Sequence, residues 1–306
     1  MRALRPGALA ATLVAFFLAF GAPASHACSQ CMCGAPFPSD VLGGTVPMQF
    51  RYGFEDRYLS KSNALDEGPG DETEQEHRIS AFALWRPNDR LALLGRLPYA
   101  VKTVTTRPLG EVETEQTEHG IGDAEAQVLL EVARSSSGRE AWLGTVLGFT
   151  APTGSNEVKD DTGERVDAHL QPGAGAWSGT GGLHAATRLA AGIFDASVMG
   201  RVNGTNVHGY HYGNTLLYNA GWASRGVSGW TFLLQMNGRS AARDMTEEGV
   251  NDPNSGGTVL YLAPGVRWQG WQGLALEAAV QIPFDESLYG IQDEHTTARL
   301  AVSLGR

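Results

Sequence analysis

Polar and apolar residues alternate along most of the chain beyond residue 45. Between Asp123 and Val132, Ala124, Ala126, Val128, Leu130 and Val132 share one face, and Asp123, Glu125, Gln127 and Glu131 share the other. Trp230, Phe232, Leu234 and Met236 alternate with Thr231, Gln235, Asn237 and Arg239. The same holds for Leu274, Leu276, Ala278, Val280 and Ile282, and near the end for Ala298, Leu300, Val302 and Leu304. A period of two is the signature of a strand, whose successive side chains point to opposite faces. Twelve such segments are expected, over 47–59, 75–86, 90–102, 121–133, 140–151, 173–190, 193–203, 214–224, 228–240, 257–268, 272–283 and 296–305. Most are longer than the usual strand of about five or six residues, and a tilted strand of about 9–11 residues crosses a bilayer.

The connections sharpen this picture. Pro87-Asn88-Asp89, Arg134 to Arg139, Ala191-Gly192, Arg225-Gly226-Val227 and Gln269-Gly270-Trp271 are short. The alternate connections, 60–74, 103–120, 152–172, 204–213, 241–256 and 284–295, are long. Outer-membrane barrels have short periplasmic turns and longer external loops, whereas a soluble sandwich has no reason to gather its long loops at one end. The fold class expected is therefore all-β: a transmembrane antiparallel up-and-down β-barrel of about 12 strands. Trp85, Trp142, Trp222, Trp230, Trp268 and Trp271 all lie beside the short turns, as a periplasmic aromatic girdle requires, and only Trp177 lies elsewhere.

Composition agrees. Of 306 residues, 39 are Gly and only 18% are charged, with a formal net charge of −10. The lack of a second long apolar run excludes a helical membrane protein, and the acidic balance argues against nucleic acid as a partner. Arg2 and Arg5, an apolar stretch from Leu9 to Phe20 and Ser25-His26-Ala27 form a secretory leader over 1–27, cut after Ala27. The mature chain then has 279 residues, and loss of the two arginines takes its charge from −10 to −12. Lipidation of Cys28 is the alternative, although Ser25 stands where an aliphatic residue is usual. A periplasmic segment over 28–46 precedes a single barrel over 47–306, in the outer membrane of a Gram-negative envelope.

With the apolar strand faces against lipid, the lumen is expected to hold Arg51, Glu55, Arg78, Arg96, Lys102, Asp123, Glu125, Glu131, Asp195, Arg201, Arg239, Glu277 and Arg299. Both signs are present, so the set suits either a salt-bridged plug or a charged, selective constriction. The external loops are acidic: Asp66, Glu67, Asp71, Glu72, Glu74 and Glu76 in the first, Glu157, Asp160, Asp161, Glu164 and Asp167 in the third, Asp244, Glu247, Glu248 and Asp252 in the fifth. They read as solvated loops, with cation enrichment at a pore mouth as the sharper alternative. His208-Gly-Tyr-His-Tyr212 holds two histidines three apart, too few for a zinc site. Cys28, Cys31 and Cys33 suit a disulfide plus one free or lipidated thiol, or a soft-metal site with Met32; Met32 stands where covalent haem needs His. No cofactor is expected beyond such a metal, and no catalytic motif stands out.

Three short pieces carry a resemblance. Gly120-Ile-Gly-Asp123 opens one strand, Ala151-Pro-Thr-Gly154 closes the next, and Leu170-Gln-Pro-Gly-Ala-Gly-Ala-Trp177 follows a polar loop. The chain resembles, over most of its mature length, the outer-membrane transporter family named for meta-pathway phenol degradation. The resemblance implies a transporter-like barrel and names no solute. Two features depart from it: the last strand ends Leu304-Gly305-Arg306 without a terminal aromatic residue, and the cysteine cluster has no place in the phenol association. The expected function is an outer-membrane channel or transport component for small solutes, in contact with outer-membrane lipid and with a periplasmic protein as a candidate partner, and not an enzyme. The alternatives are a non-conducting barrel that anchors a periplasmic metal or redox partner, and an exported soluble β-sandwich enzyme.

Overall fold

The computed structural model describes residues 49–65, 69–110, 112–135 and 140–306. The expected leader, the segment 28–46 with Cys28, Cys31 and Cys33, and loop residues Asp66 and Glu67 lie outside the described residues. Strands β1 (Phe50–Ala64), β2 (Gly70–Asn88), β3 (Leu91–Pro108), β4 (Thr114–Ile121), β5 (Ala124–Ser135), β6 (Ala141–Ala151), β7 (Ser178–Leu189) and β8 (Gly192–Asn203) form the first part of the wall. They are followed by β9 (Thr215–Ser224), β10 (Trp230–Ala241), β11 (Gly257–Gln269), β12 (Leu274–Leu288), β13 (Gln292–Glu294) and β14 (Thr297–Gly305).

These strands make twelve staves, because two staves are each built from two strands. β4 and β5 both pair with β3, on either side of a break at Gly122-Asp123. β13 and β14 both pair with β1, on either side of His295-Thr296. Every pairing is antiparallel, and β1 also pairs with β2 in continuous register from Phe50↔Trp85 to Ala64↔Asp71. The sheet therefore closes on itself, which removes the unpaired edges that a membrane cannot solvate.

The faces divide as the alternation requires. Phe54, Leu147 and Leu300 are each 59% exposed, and Leu97, Phe149, Phe232 and Val302 are exposed beside them. Arg51, Glu55, Arg78 and Arg96 are buried. Apolar side chains outside and charged ones inside invert the soluble pattern, and a lipid environment is what makes that arrangement stable. The short turns use residues suited to them. Asn88 Oδ1 accepts the Arg90 and Leu91 N–H groups at 2.9 and 3.0 Å. The β9–β10 turn places Ser228 and Gly229 at φ 51° and 83°, where the right-handed twist of a hairpin favours left-handed turn residues.

Three expectations need correction. First, the connections 60–74 and 103–120 are largely strand, since β1 to β4 continue outward; Glu74 pairs with Lys61 at 2.7 Å and Glu76 with Arg78 at 2.5 Å inside the wall rather than in a loop. Second, the strand expected from 173 begins at Ser178: Gly173, Ala174 and Ala176 are buried within a folded-in loop, and Gly175 has a φ of 68° that a strand cannot hold. Third, Trp142 shares the inward face of Gly144 and Val146, so it does not belong to the girdle. Nearness to a turn sets the height of a side chain, and only parity sets its face. Trp85, Trp230 and Trp271 are exposed at the short-turn end, with Trp268 6.4 Å from Trp230 between ring centroids.

Candidate channel lumen and its loop plug

The thirteen residues expected to line the lumen fall on the inward face of the wall or, for Asp123, at the β4–β5 break. Eight are buried and Glu125, Glu131, Arg201, Glu277 and Arg299 are partly so. One arc of the interior is an ion-pair ladder. Arg267 reaches Glu277 at 2.6 Å, Glu277 reaches Arg299 at 2.6 Å, Arg299 reaches Glu55 at 2.6 Å and Glu55 reaches Arg57 at 2.5 Å. Arg96 and Glu125 stand 3.9 Å apart. Arg239 pairs with Glu294, whose other oxygen accepts the Tyr261 hydroxyl at 2.7 Å. Arg201 instead donates to Asn203 at 3.0 Å, and Glu131 pairs with Arg134 at 2.6 Å near the periplasmic rim. Sequence reasoning missed Arg57 and Arg267, although each shares the parity of residues it did select or of buried neighbours on its strand.

A second arc is apolar. Leu84, Ala92, Leu94, Val146, Met199 and Leu217 form one buried cluster. The interior thus holds both fixed charge and a packed apolar cluster, which draws Leu84, Ala92 and Leu94 from β2 and β3, the strands that also bear Arg78 and Arg96.

Three external connections fold over the interior. The two ends of one of them, the segment 152–177, are held at Asp123, whose carboxylate accepts the Gly154 N–H at 2.9 Å and the Ala174 N–H at 2.7 Å. The Gly122 N–H donates to Pro98 O, Ser155 N–H to Ile121 O and Gly173 N–H to Ser155 O, each at 2.9 Å. A Cβ on Gly173 would lie 2.8 Å from Asp123 Oδ1 and from the Gly154 Cα, so only glycine allows this approach. All three motifs singled out in the sequence meet at this junction. Asp123 was expected among the lumen-lining residues; its carboxylate holds the segment 152–177 inward.

That segment delivers His169 toward the interior. Lys102 Nζ donates to the backbone oxygens of His169 and Gln171 at 2.7 and 2.8 Å. The His169 Nε2 lies 3.0 Å from the Tyr210 hydroxyl and 3.4 Å from Asp252 Oδ2. Tyr210 donates to Asp244 Oδ2 at 3.0 Å, Gly213 N–H to Asp244 Oδ1 at 2.7 Å, and Tyr212 to Ala168 O at 2.7 Å. Burial alone would lower the His169 pKa. The Asp252 hydrogen bond and the nearby carboxylates outweigh it and raise the value to about 9, so the ring is cationic at neutral pH. Burial raises the Asp244 carboxyl above its ordinary value, against the opposing pull of His169. Beneath the plug, a cavity of about 40 Å³ is lined by Ser60, Lys61, Glu74, Lys102, His169 and Arg239. At ~10–15 Å³ per water position, it has room for a few waters.

The acidic loop residues are therefore not simply solvated. Asp244 is fully buried, Glu157 lies 2.5 Å from His208 Nε2, and Glu247 pairs with Arg165. His208 and His211 serve different partners, His211 Nδ1 lying 3.4 Å from Thr205 Oγ1. Among the described residues, no group of three or more His, Cys, Asp or Glu side chains is placed to hold a metal ion.

Comparison with known proteins identifies the lineage. A family model described as "Putative MetA-pathway of phenol degradation" matches residues 77–293. The chain belongs to this family. Within this phenol-degradation family member, the match spans the wall from β2 to β13 and includes the Asp123 junction. A search of curated proteins gave no match. Among solved structures, an outer membrane channel from Pseudomonas putida F1 is similar over 89% of this chain and 100% of that one, at 12% identity and a TM-score of 0.66. The transport unit of the Escherichia coli autotransporter AIDA-I is similar over 85% of this chain and 91% of that one, at 10% identity and a TM-score of 0.49. The first likeness shows that the family member has the fold of an outer-membrane β-barrel.

Proposed function

We propose that the protein is an outer-membrane channel for small solutes, closed at its external end by the segment 152–177. The observation that carries this reading is a charge-bearing interior under a docked plug. The barrel presents hydrocarbon to lipid, keeps charge within, and fastens its plug through hydrogen bonds that can break without disturbing any strand pairing. The Pseudomonas putida structure of the same fold is described as a channel, which supports transport rather than catalysis. In this reading the leader 1–27 is removed on export, and the Cys28, Cys31 and Cys33 segment faces the periplasm, where it docks a protein partner or takes a soft metal.

The continuous ladder from Arg267 to Arg57 specifically favours a second reading, a structural barrel that does not conduct. Liposome swelling decides between them. Purified protein folded into liposomes, challenged with neutral, cationic and anionic solutes of graded size, should admit the smaller ones faster than protein-free liposomes do. Admission of none would remove the channel and leave the structural barrel.

A further inference from the structure

The outer wall carries an acid–base pair where lipid is expected. Asp56 shares the outward face of β1 with Tyr52 and Phe54. Its neighbours in register are Leu300 on β14 and Ile79 on β2, and Leu300 pairs in turn with Ala278 on β12. Asp56 stands six residues above Phe50 at the short-turn end. At about 3.3 Å per residue and a tilt of about 40°, that is about 15 Å up a belt about 25 Å tall. Ionisable side chains at such a depth are costly against lipid and mark places where something other than hydrocarbon meets the wall. Asp56 Oδ2 lies 3.1 Å from His77 Nδ1, yet the two side chains remain 33% and 53% exposed, and His77 Nε2 has no partner among the described residues.

The wall on either side of the pair is uneven. Toward β10 lies an apolar groove of about 610 Å³, lined by Phe54, Trp230, Trp268, Ala278, Leu300 and Val302. Toward β4 the exposed Leu97 and Tyr99 of β3 stand out. Copies that stand upright in one membrane are related by a two-fold only about an axis along the bilayer normal. Placed over the seam between β1 and β2, such an axis sets Asp56 of each copy against His77 of the other. It also sets β3 of each copy opposite β14 of the other, since each stands one stave out from the seam. Leu97 lies six residues above Leu91, and Leu300 four above Leu304, so both stand about 10–15 Å up the wall.

We propose that this face joins two copies of the chain in the outer membrane. Each copy seats Leu97 in the groove of the other, and the two Asp56 carboxylates and two His77 rings close a four-membered cycle at the axis. The pair is its own complement, as an isologous contact requires. A lipid tail could fill the groove, but it would offer nothing to His77 Nε2 or to the exposed carboxylate. The contact is independent of conduction, so it goes beyond the channel reading and stands or falls apart from it.

Photo-cross-linking of the full chain in outer membranes tests this. A benzophenone-bearing amino acid in place of Leu300 should join two copies, with the attachment mapped to β2 or β3 of the second copy. The same amino acid in place of Leu147, equally exposed on β6 across the barrel, should give no dimer. Asp56→Leu should lower the dimer yield from position 300 about tenfold or more, because removing one member of a desolvated charge pair strands the other. Asp56→His combined with His77→Asp should restore it, since the exchanged pair is again its own complement. Heat-modifiable gel migration shows which variants are folded. The comparison of positions 300 and 147 needs neither substitution, so it decides even where a variant does not fold. Adducts to lipid alone at position 300, equal dimer from position 147, or attachment outside β2 and β3 would overturn the proposal. So would an undiminished yield in folded Asp56→Leu, or a folded double variant that stays monomeric.

Discussion

Replacing Lys102 by Met isolates the grip of the wall on the plug. Lys102 is buried, and its ammonium donates to two carbonyl oxygens of the inserted segment, His169 O at 2.7 Å and Gln171 O at 2.8 Å. Methionine fills a similar volume and donates nothing. A hydrogen bond from a charged group contributes about 1.5–3 kcal/mol, so losing two at the low end costs the docked state about 3 kcal/mol. At about 1.4 kcal/mol per tenfold, the docked-to-released ratio falls by roughly 100-fold. The substitution strands no carboxylate, because Glu76 keeps Arg78 at 2.5 Å and Glu74 keeps Lys61 at 2.7 Å. In planar bilayers the variant should spend far more time in its highest-conductance level than the wild type does. Heat-modifiable gel migration should be unchanged, since no strand pair is touched. An identical conductance record from a correctly folded variant would refute the idea that these two bonds hold the plug.

Other outcomes follow from the same geometry. The docked-state pKa of His169 is raised from 6.5 to about 9, so its contribution to docking is complete below pH 6.5 and is lost as pH rises through about 9; channel opening should increase over that window, and His169→Gln should flatten the profile. Asp123→Ala removes the acceptor of the Gly154 and Ala174 N–H groups, costing about 3 kcal/mol at the low end for two charge-assisted bonds. Limited proteolysis should then cut between residues 155 and 175 while the barrel stays intact, and continued resistance there would deny Asp123 its role. Leu300, 59% exposed on the outer wall, should tolerate Arg badly if it faces hydrocarbon, by about 2–4 kcal/mol near the midplane. A loss within about 0.5 kcal/mol in urea unfolding from bilayers would instead be the response of a water-exposed surface.

The barrel was legible because lipid outside and charge inside impose a period of two on every stave, and because turn length reports which end of the barrel a connection occupies. Leu300, Val302 and Leu304 show it in one strand. The plug was not legible. Gly173 to Ala176 are small residues whose alternation imitates a strand, yet they serve a loop that passes within contact of Asp123. The sequence drew attention to His208 and His211, whereas Tyr210 and Tyr212 beside them are the buried members that pack against His169. The same is true of Asp244, one acidic residue among several in its loop, which is fully buried where two distant loops meet its own. Pattern along the chain reports local faces; convergence of loops depends on contacts more than 30 residues apart, such as Gly213 with Asp244 and Ala174 with Asp123. The Asp123 junction left one trace, since its three parts were the very motifs that carried the family resemblance.

In the proposed function the barrel conducts small solutes and the docked segment controls the passage. Single-channel recording of wild-type protein, folded and purified from outer membranes, tests it most directly. Discrete, low-conductance openings are expected, becoming larger and more frequent as pH is raised through about 9, where His169 loses its charge. A silent bilayer at every pH, with protein shown to be folded and inserted, would contradict it.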